Sequence, residues 1–191
     1  MTRDTVPPAP AFPQDDQAPG KDTSPWFVAN AGLVLLNPFL PAFFDRLGLL
    51  ERDTDGVPHL VGDAASRGVR LLQYCVAGSG DGADQQLVLN KLMCGLPAAA
   101  AIGEIEPTAA EREICDGLLA AIIGHWTAIG GTSPAGLRET FLQREGRLVA
   151  GEEFPELDVQ RMTVDILLDR VPWSFRMIFH RWMAMPLRIT W

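Results

Sequence analysis

The sequence predicts an α+β fold: a mainly helical single domain with a small C-terminal antiparallel β-sheet. Three observations lead there. Apolar residues recur at helical spacing between Leu33 and Phe141, Thr108 and Glu111 form a capping box that announces a helix start, and past Arg147 the pattern breaks into short runs of strand length. With 191 residues the chain fits one domain, and 47% hydrophobic against 21% charged residues is enough apolar content to bury a core.

Residues 1–25 hold six prolines among Asp, Gln, Thr and Ser and have almost no hydrophobic periodicity, which predicts a disordered, polyproline-leaning tail ahead of a folded domain at 26–191. Trp26, Phe27 and Val28 are expected to form a short edge strand or simply to anchor that tail. Leu33, Leu36, Leu40, Phe43, Phe44 and Leu47 make one apolar stripe. Pro38 reads as the first residue of a helix capped by Asn37 and stopped by Gly48, with Ala31 to Leu36 as a separate turn or a kinked continuation. After the Asp55-Gly56 turn signal, Val57 to Val61 reads as a short strand.

Asp63 is expected to cap a second helix that buries Ala65, Gly68, Val69, Leu72, Cys75 and Val76 and ends at Gly78. The loop from Gly78 to Ala83 lacks the Lys and Ser/Thr of a phosphate-binding loop and reads as a linker. A third helix is expected over Asp84–Cys94, and a fourth follows the capping box with Ile114, Leu118, Ala121 and Ile122 on one face. Ser133 or Thr132 should cap a fifth, with Pro134 just inside, Leu137 and Phe141 inward, and Gly146 as terminator. Arg138, Glu139, Arg144 and Glu145 then fall mainly on its outer surface. Leu148-Val149, Phe154–Val159, Phe175–Phe179 and Leu187–Trp191 read as strands around one further helix, Met162–Arg170.

Composition also limits function. The longest apolar stretches, such as Leu96–Ile102, fall far short of the roughly 20 residues that span a bilayer, so no membrane partner is expected. No basic segment leads into an apolar one at the N-terminus, which makes the cytoplasm the expected location. A net charge of −8 has the wrong sign for gripping phosphate backbones, so nucleic acid is not an expected partner. Within residues 158–191, however, Arg161, Arg170, Arg176, Arg181 and Arg188 outnumber Asp158, Asp165 and Asp169, a local +2 that reads as an ordinary solvated or ion-paired face, with an acidic docking partner as the alternative.

No catalytic, cofactor or metal residues are expected. Cys75, Cys94 and Cys115 form no CxxC pair and read as buried free thiols. His59, His125 and His180 sit in no metal or triad frame, and no GxSxG elbow is present.

Four phrases carry a resemblance: NAGLVLLNPFLPAFFDRLGLL at 30–50, LVLNKLMCGLP at 87–97, HWTAIGGTSPAGLRETFLQREGRL at 125–148 and DILLDRVPW at 165–173. Together, in that order, they resemble the conserved domain of contractile injection system tape measure proteins. The resemblance implies a structural assembly protein of a phage-tail-like particle, related to the component that sets tube and sheath length. It implies contacts with baseplate or inner-tube proteins, self-association among the candidates, incorporation into the particle as a destination, and no catalysis. Those relatives carry long regions ahead of this domain. A helix of all 191 residues would span only about 290 Å, so the expectation is a short member that keeps the recognition domain without a measuring segment. The first alternative reading is a cytoplasmic adaptor or chaperone-like module that loads tube subunits or cargo, and the second is an enzyme acting on a small molecule.

Trp and Arg dominate interface hot spots, and Met suits adaptable contacts. Trp173, Trp182 and Trp191 lie among Phe175, Met177, Phe179, Met183 and Met185, close to arginines. The expected partner-binding residues are therefore Arg138, Arg144, Trp173, Arg176, Trp182 and Trp191, against the plain alternative that the aromatics build the core under the small sheet.

Overall fold

The computed structural model describes residues 24–191 apart from 152. All but the last two residues of the predicted tail at 1–25 lie outside that range. The element order begins with strand β1 (Trp26–Val28), a 3-10 helix at Ala31–Phe39 and helix α1 (Leu40–Arg46). Strands β2 (Glu51–Arg52) and β3 (Pro58–His59) form a small hairpin. Helix α2 (Gly62–Ala77) follows, then a 3-10 turn at Asp84–Leu87 that leads into α3 (Val88–Met93), and then α4 (Ala109–His125). Helix α5 (Pro134–Leu137) passes into a π-helical turn at Arg138–Leu142. Strands β4 (Gly146–Ala150) and β5 (Pro155–Val159), a 3-10 helix at Thr163–Arg170, β6 (Met177–Ile178) and β7 (Leu187–Thr190) complete the chain.

The helical layer follows the apolar pattern closely. Each of the six residues expected on the inner face of α2 is buried, and Gly78 ends that helix at φ 79°, the left-handed conformation a C-terminal glycine supplies. Thr108 and Glu111 make the expected capping box on α4, whose Cys115, Leu118, Leu119, Ile122 and Ile123 are buried. Ser133 caps α5 by accepting from the Gly136 amide. Arg67 of α2 reaches across to Glu111, with Nη2 to Oε2 at 2.6 Å, so the capping carboxylate also ties two helices together.

Several local expectations change. Ala31–Phe39 is a 3-10 helix with Pro38 inside it, and neither Asn37 nor Asp63 caps a helix; Asp63 sits in the first turn of α2. Consecutive buried residues from Ala31 to Leu36 explain the first change. A segment surrounded by core on every side has no polar stripe to impose the 3.6-residue period, and Pro38 removes an α-helical donor. Gly146 does not end α5 but opens β4, because the helix stops at Leu142. Arg144, expected outside, is 2% exposed at its side chain.

The sheet differs most. It has five strands in the order β1-β4-β5-β7-β6, and its first strand is N-terminal, so it is not a C-terminal unit. Nor is it wholly antiparallel: β5 and β7 run parallel, with Leu157 opposite Ile189, while the remaining pairs are antiparallel. A parallel pair needs a long crossover, and residues 160–186 provide it. Alternation assigns Leu148, Leu157, Val159, Leu187 and Ile189 to the buried face and Arg147, Asp158, Arg188 and Thr190 to solvent.

Candidate functional site

The crossover between β5 and β7 builds an open depression on the described surface. Its first wall is the Thr163–Arg170 helix. Asp165 occupies the third position of that helix, and its Oδ2 accepts from the Met162 amide at 2.8 Å, which satisfies one orphan donor at the helix start. The same carboxylate accepts from Trp191 Nε1 at 3.0 Å and, through Oδ1, from Arg144 Nη2. Arg144 Nε donates to the Thr140 carbonyl at 2.7 Å, and its guanidinium lies 5.7 Å from the centre of the Trp191 ring. One arginine thus joins the π-helical turn, the crossover helix and the residue after β7.

The opposite wall is the segment from Val171 to Arg176. Between the walls lies a depression of about 420 Å³ that is lined on its polar side by Arg161, Asp169 and Arg176 and on its apolar side by Trp173, Phe175 and Trp191. Ile166, 73% exposed, and Met162, 57% exposed, stand at its margin. Arg161 Nη2 donates to the Trp191 carbonyl at 2.9 Å. Among the described residues neither Arg161 nor Arg176 forms an ion pair, whereas Arg188, further along the sheet, is held by Glu156 at 2.9 Å.

Of the six residues singled out by sequence, Trp173, Arg176 and Trp191 meet at this depression, and Arg144 lies beneath it. Trp173 is partly buried, edge-on to Phe39 at 5.2 Å and to Trp126 at 6.5 Å. Trp191 is 8% exposed, and Arg176 is exposed. The other two lie elsewhere. Trp182 is buried, donates Nε1 to the Met93 carbonyl at 2.9 Å and stacks on His180 at 4.5 Å. Arg138 donates Nε to the Cys75 carbonyl at 3.0 Å and Nη2 to Asp116 at 2.9 Å. Sequence reasoning gave no contact role to Asp165 or Ile166, and it placed Arg161 only within the arginine-rich 158–191 segment whose alternative reading is an acidic docking partner. A usable signal was present for Asp165, an acidic residue at the third position of a helix start.

The four family-like phrases meet one another in space. Asn30 donates to Asn90 at 2.6 Å, the Ala31 amide donates to the Arg144 carbonyl at 2.8 Å, Phe39 packs edge-on to Trp173 at 5.2 Å, Trp126 donates Nε1 to the Leu167 carbonyl at 3.2 Å, and Arg144 holds Asp165. A family model for contractile injection system tape measure proteins matches residues 2–191. The chain belongs to that family. No curated protein and no solved structure gives a match. In this tape measure family chain the match extends ahead of Asn30, where the recognisable phrases begin. Among the described residues, no group of three or more His, Cys, Asp or Glu side chains is placed to hold a metal ion, and no helix is long and apolar enough to cross a membrane.

Proposed function

We propose that this chain is a structural assembly component of a contractile, phage-tail-like particle, which catalyses no reaction and contacts a baseplate or inner-tube protein through the groove beside Trp173, Arg176 and Trp191. One observation carries the choice of surface. The first three family-like phrases place most of their large side chains in the core, as Leu33, Leu36, Phe44, Leu89, Trp126 and Phe141 show. DILLDRVPW instead turns Ile166 and Asp169 outward along an open groove. An exposed isoleucine beside a partly buried tryptophan and an arginine with no ion pair among the described residues is the composition of an interface centre rather than of ordinary solvated surface.

The chain is made in the cytoplasm under this reading and travels into the particle. Mass spectrometry of purified particles from cells carrying a tagged copy, with tail lengths counted by electron microscopy, is the test. Recovery at low copy number per particle is the expected result. Particles of normal number, length and baseplate completeness after deletion of the chain would end the proposal, and absence from particles together with a stable soluble complex would favour the cytoplasmic adaptor instead.

A further inference from the structure

We infer that the groove between the Thr163–Arg170 helix and the Val171–Arg176 segment receives a short acidic peptide segment carrying an apolar side chain, supplied by the partner protein. The inference rests on the reading that this groove is the contact surface and adds the chemistry of what enters it.

Charge supplies the argument. Four charged groups line the groove: Arg161, Arg176, Asp165 and Asp169. Asp165 is already neutralised from below by Arg144, which leaves two arginines facing one carboxylate. Arg161 spends one donor on the Trp191 carbonyl, and Arg176 has no ion pair among the described residues. Arg170, at the end of the helix that forms one wall, likewise has no carboxylate within ion-pair distance among the described residues.

The rest of the chain has the opposite sign. With the whole sequence at −8 and residues 158–191 at +2, residues 1–157 carry −10. An acidic segment is repelled over most of this protein and attracted at one place, which is how charge sets orientation and encounter rate. Apolar surface then fixes the register. Ile166 and Met162 at the margin, with Trp173, Phe175 and Trp191 within, offer an anchoring site for one aliphatic or aromatic side chain, and about 420 Å³ holds a few side chains rather than a helix.

The test is fluorescence anisotropy of the full chain with a labelled peptide that alternates Glu and Leu, beside its Gln–Leu counterpart and a labelled oligothymidine strand. The Glu–Leu peptide is expected to bind about tenfold more tightly than the Gln–Leu peptide, and to weaken about tenfold in Arg176→Gln and again as salt rises. Ile166→Ser, at a side chain that packs on little, should weaken both peptides while the thermal melt stays unchanged. Equal binding of the two peptides, indifference to Arg176→Gln, or tighter binding of the oligothymidine strand would overturn the acidic-peptide inference. The same Arg176→Gln chain introduced into cells separates the two ideas. Exclusion from particles without any peptide preference keeps the contact surface and discards its acidic ligand; peptide preference in a chain that still enters particles normally discards the contact surface.

Discussion

Arg144 and Asp165, 21 residues apart, form an ion pair in which the arginine side chain is 2% exposed and the aspartate 10%. Three elements meet there, because Asp165 also holds Met162 and Trp191 while Arg144 holds Thr140. Removing one member of a buried pair strands the other charge, at a cost of about 3–5 kcal/mol. Arg144→Met is therefore expected to lower the unfolding free energy obtained from urea titration by an amount in that range, with a lower midpoint, and Arg144→Met with Asp165→Leu should recover part of the loss. A single substitution with unchanged midpoint would contradict the pair's structural role.

Acid should loosen the α2–α4 junction. The Arg67 side chain, hydrogen-bonded to Glu111, lowers that carboxyl to about 2, with Thr108 contributing backbone and side-chain donors. A carboxyl depressed in the folded state stabilises fully above its unfolded value, near 4.3, and loses that contribution as pH falls toward 2. With Arg67 about a third exposed, at 31%, solvent screening leaves about 1–2 kcal/mol. Glu111→Gln should flatten the stability profile between pH 4.5 and 2, roughly that window, as read by denaturation at stepped pH.

His180 gives a second pH dependence of the same sign. Burial lowers its pKa, opposed by a hydrogen bond with the Asn37 backbone. The folded state thus binds fewer protons than the unfolded state, so stability rises with pH through the interval just below about 6.5. Trp182 stacks flat on this ring and shields it. Trp182→Ala is expected to cost about 3–5 kcal/mol in a thermal or urea melt and to weaken the slope near neutrality by admitting water to His180. Loss of particle assembly in that variant would follow from the fold, whereas Arg176→Gln tests the surface with the melt intact.

Gly95 ends α3 at φ 78°, and a Cβ there would lie 2.0 Å from the Trp182 carbonyl oxygen. Left-handed strain and a backbone collision act together. Gly95→Ala should cost more than about 1 kcal/mol, seen as a lower denaturation midpoint, and should be worse than Gly117→Ala, whose added methyl meets open space.

The helices were legible because α2 and α4 are amphipathic and their ends carry local chemistry, Gly78 in one case and Thr108 with Glu111 in the other. The sheet was only partly legible. Short runs such as Leu187–Thr190 state their own extended form but not their neighbour, and nothing local tells β7 to lie parallel to β5. Arg144 was misplaced for a related reason: helical phase puts it on a surface only if the helix continues, and the chain turns after Leu142 to bury it. The groove was half visible. Trp173, Arg176 and Trp191 were singled out by residue type, whereas Arg161 and Asp165 join them only through the crossover.

Pairing of Trp26–Val28 with Gly146–Leu148 places the first strand beside one that follows it by about 120 residues. During synthesis at about 5–20 residues per second, Trp26 and Phe27 therefore wait several seconds or more without their sheet partner, while α1 to α4 already have the means to collapse. The nascent chain carries an unpaired apolar edge for that time. A ribosome stalled before Gly146 would hold a helical body with an open flank, a species for holding chaperones to recognise until the C-terminal strands emerge.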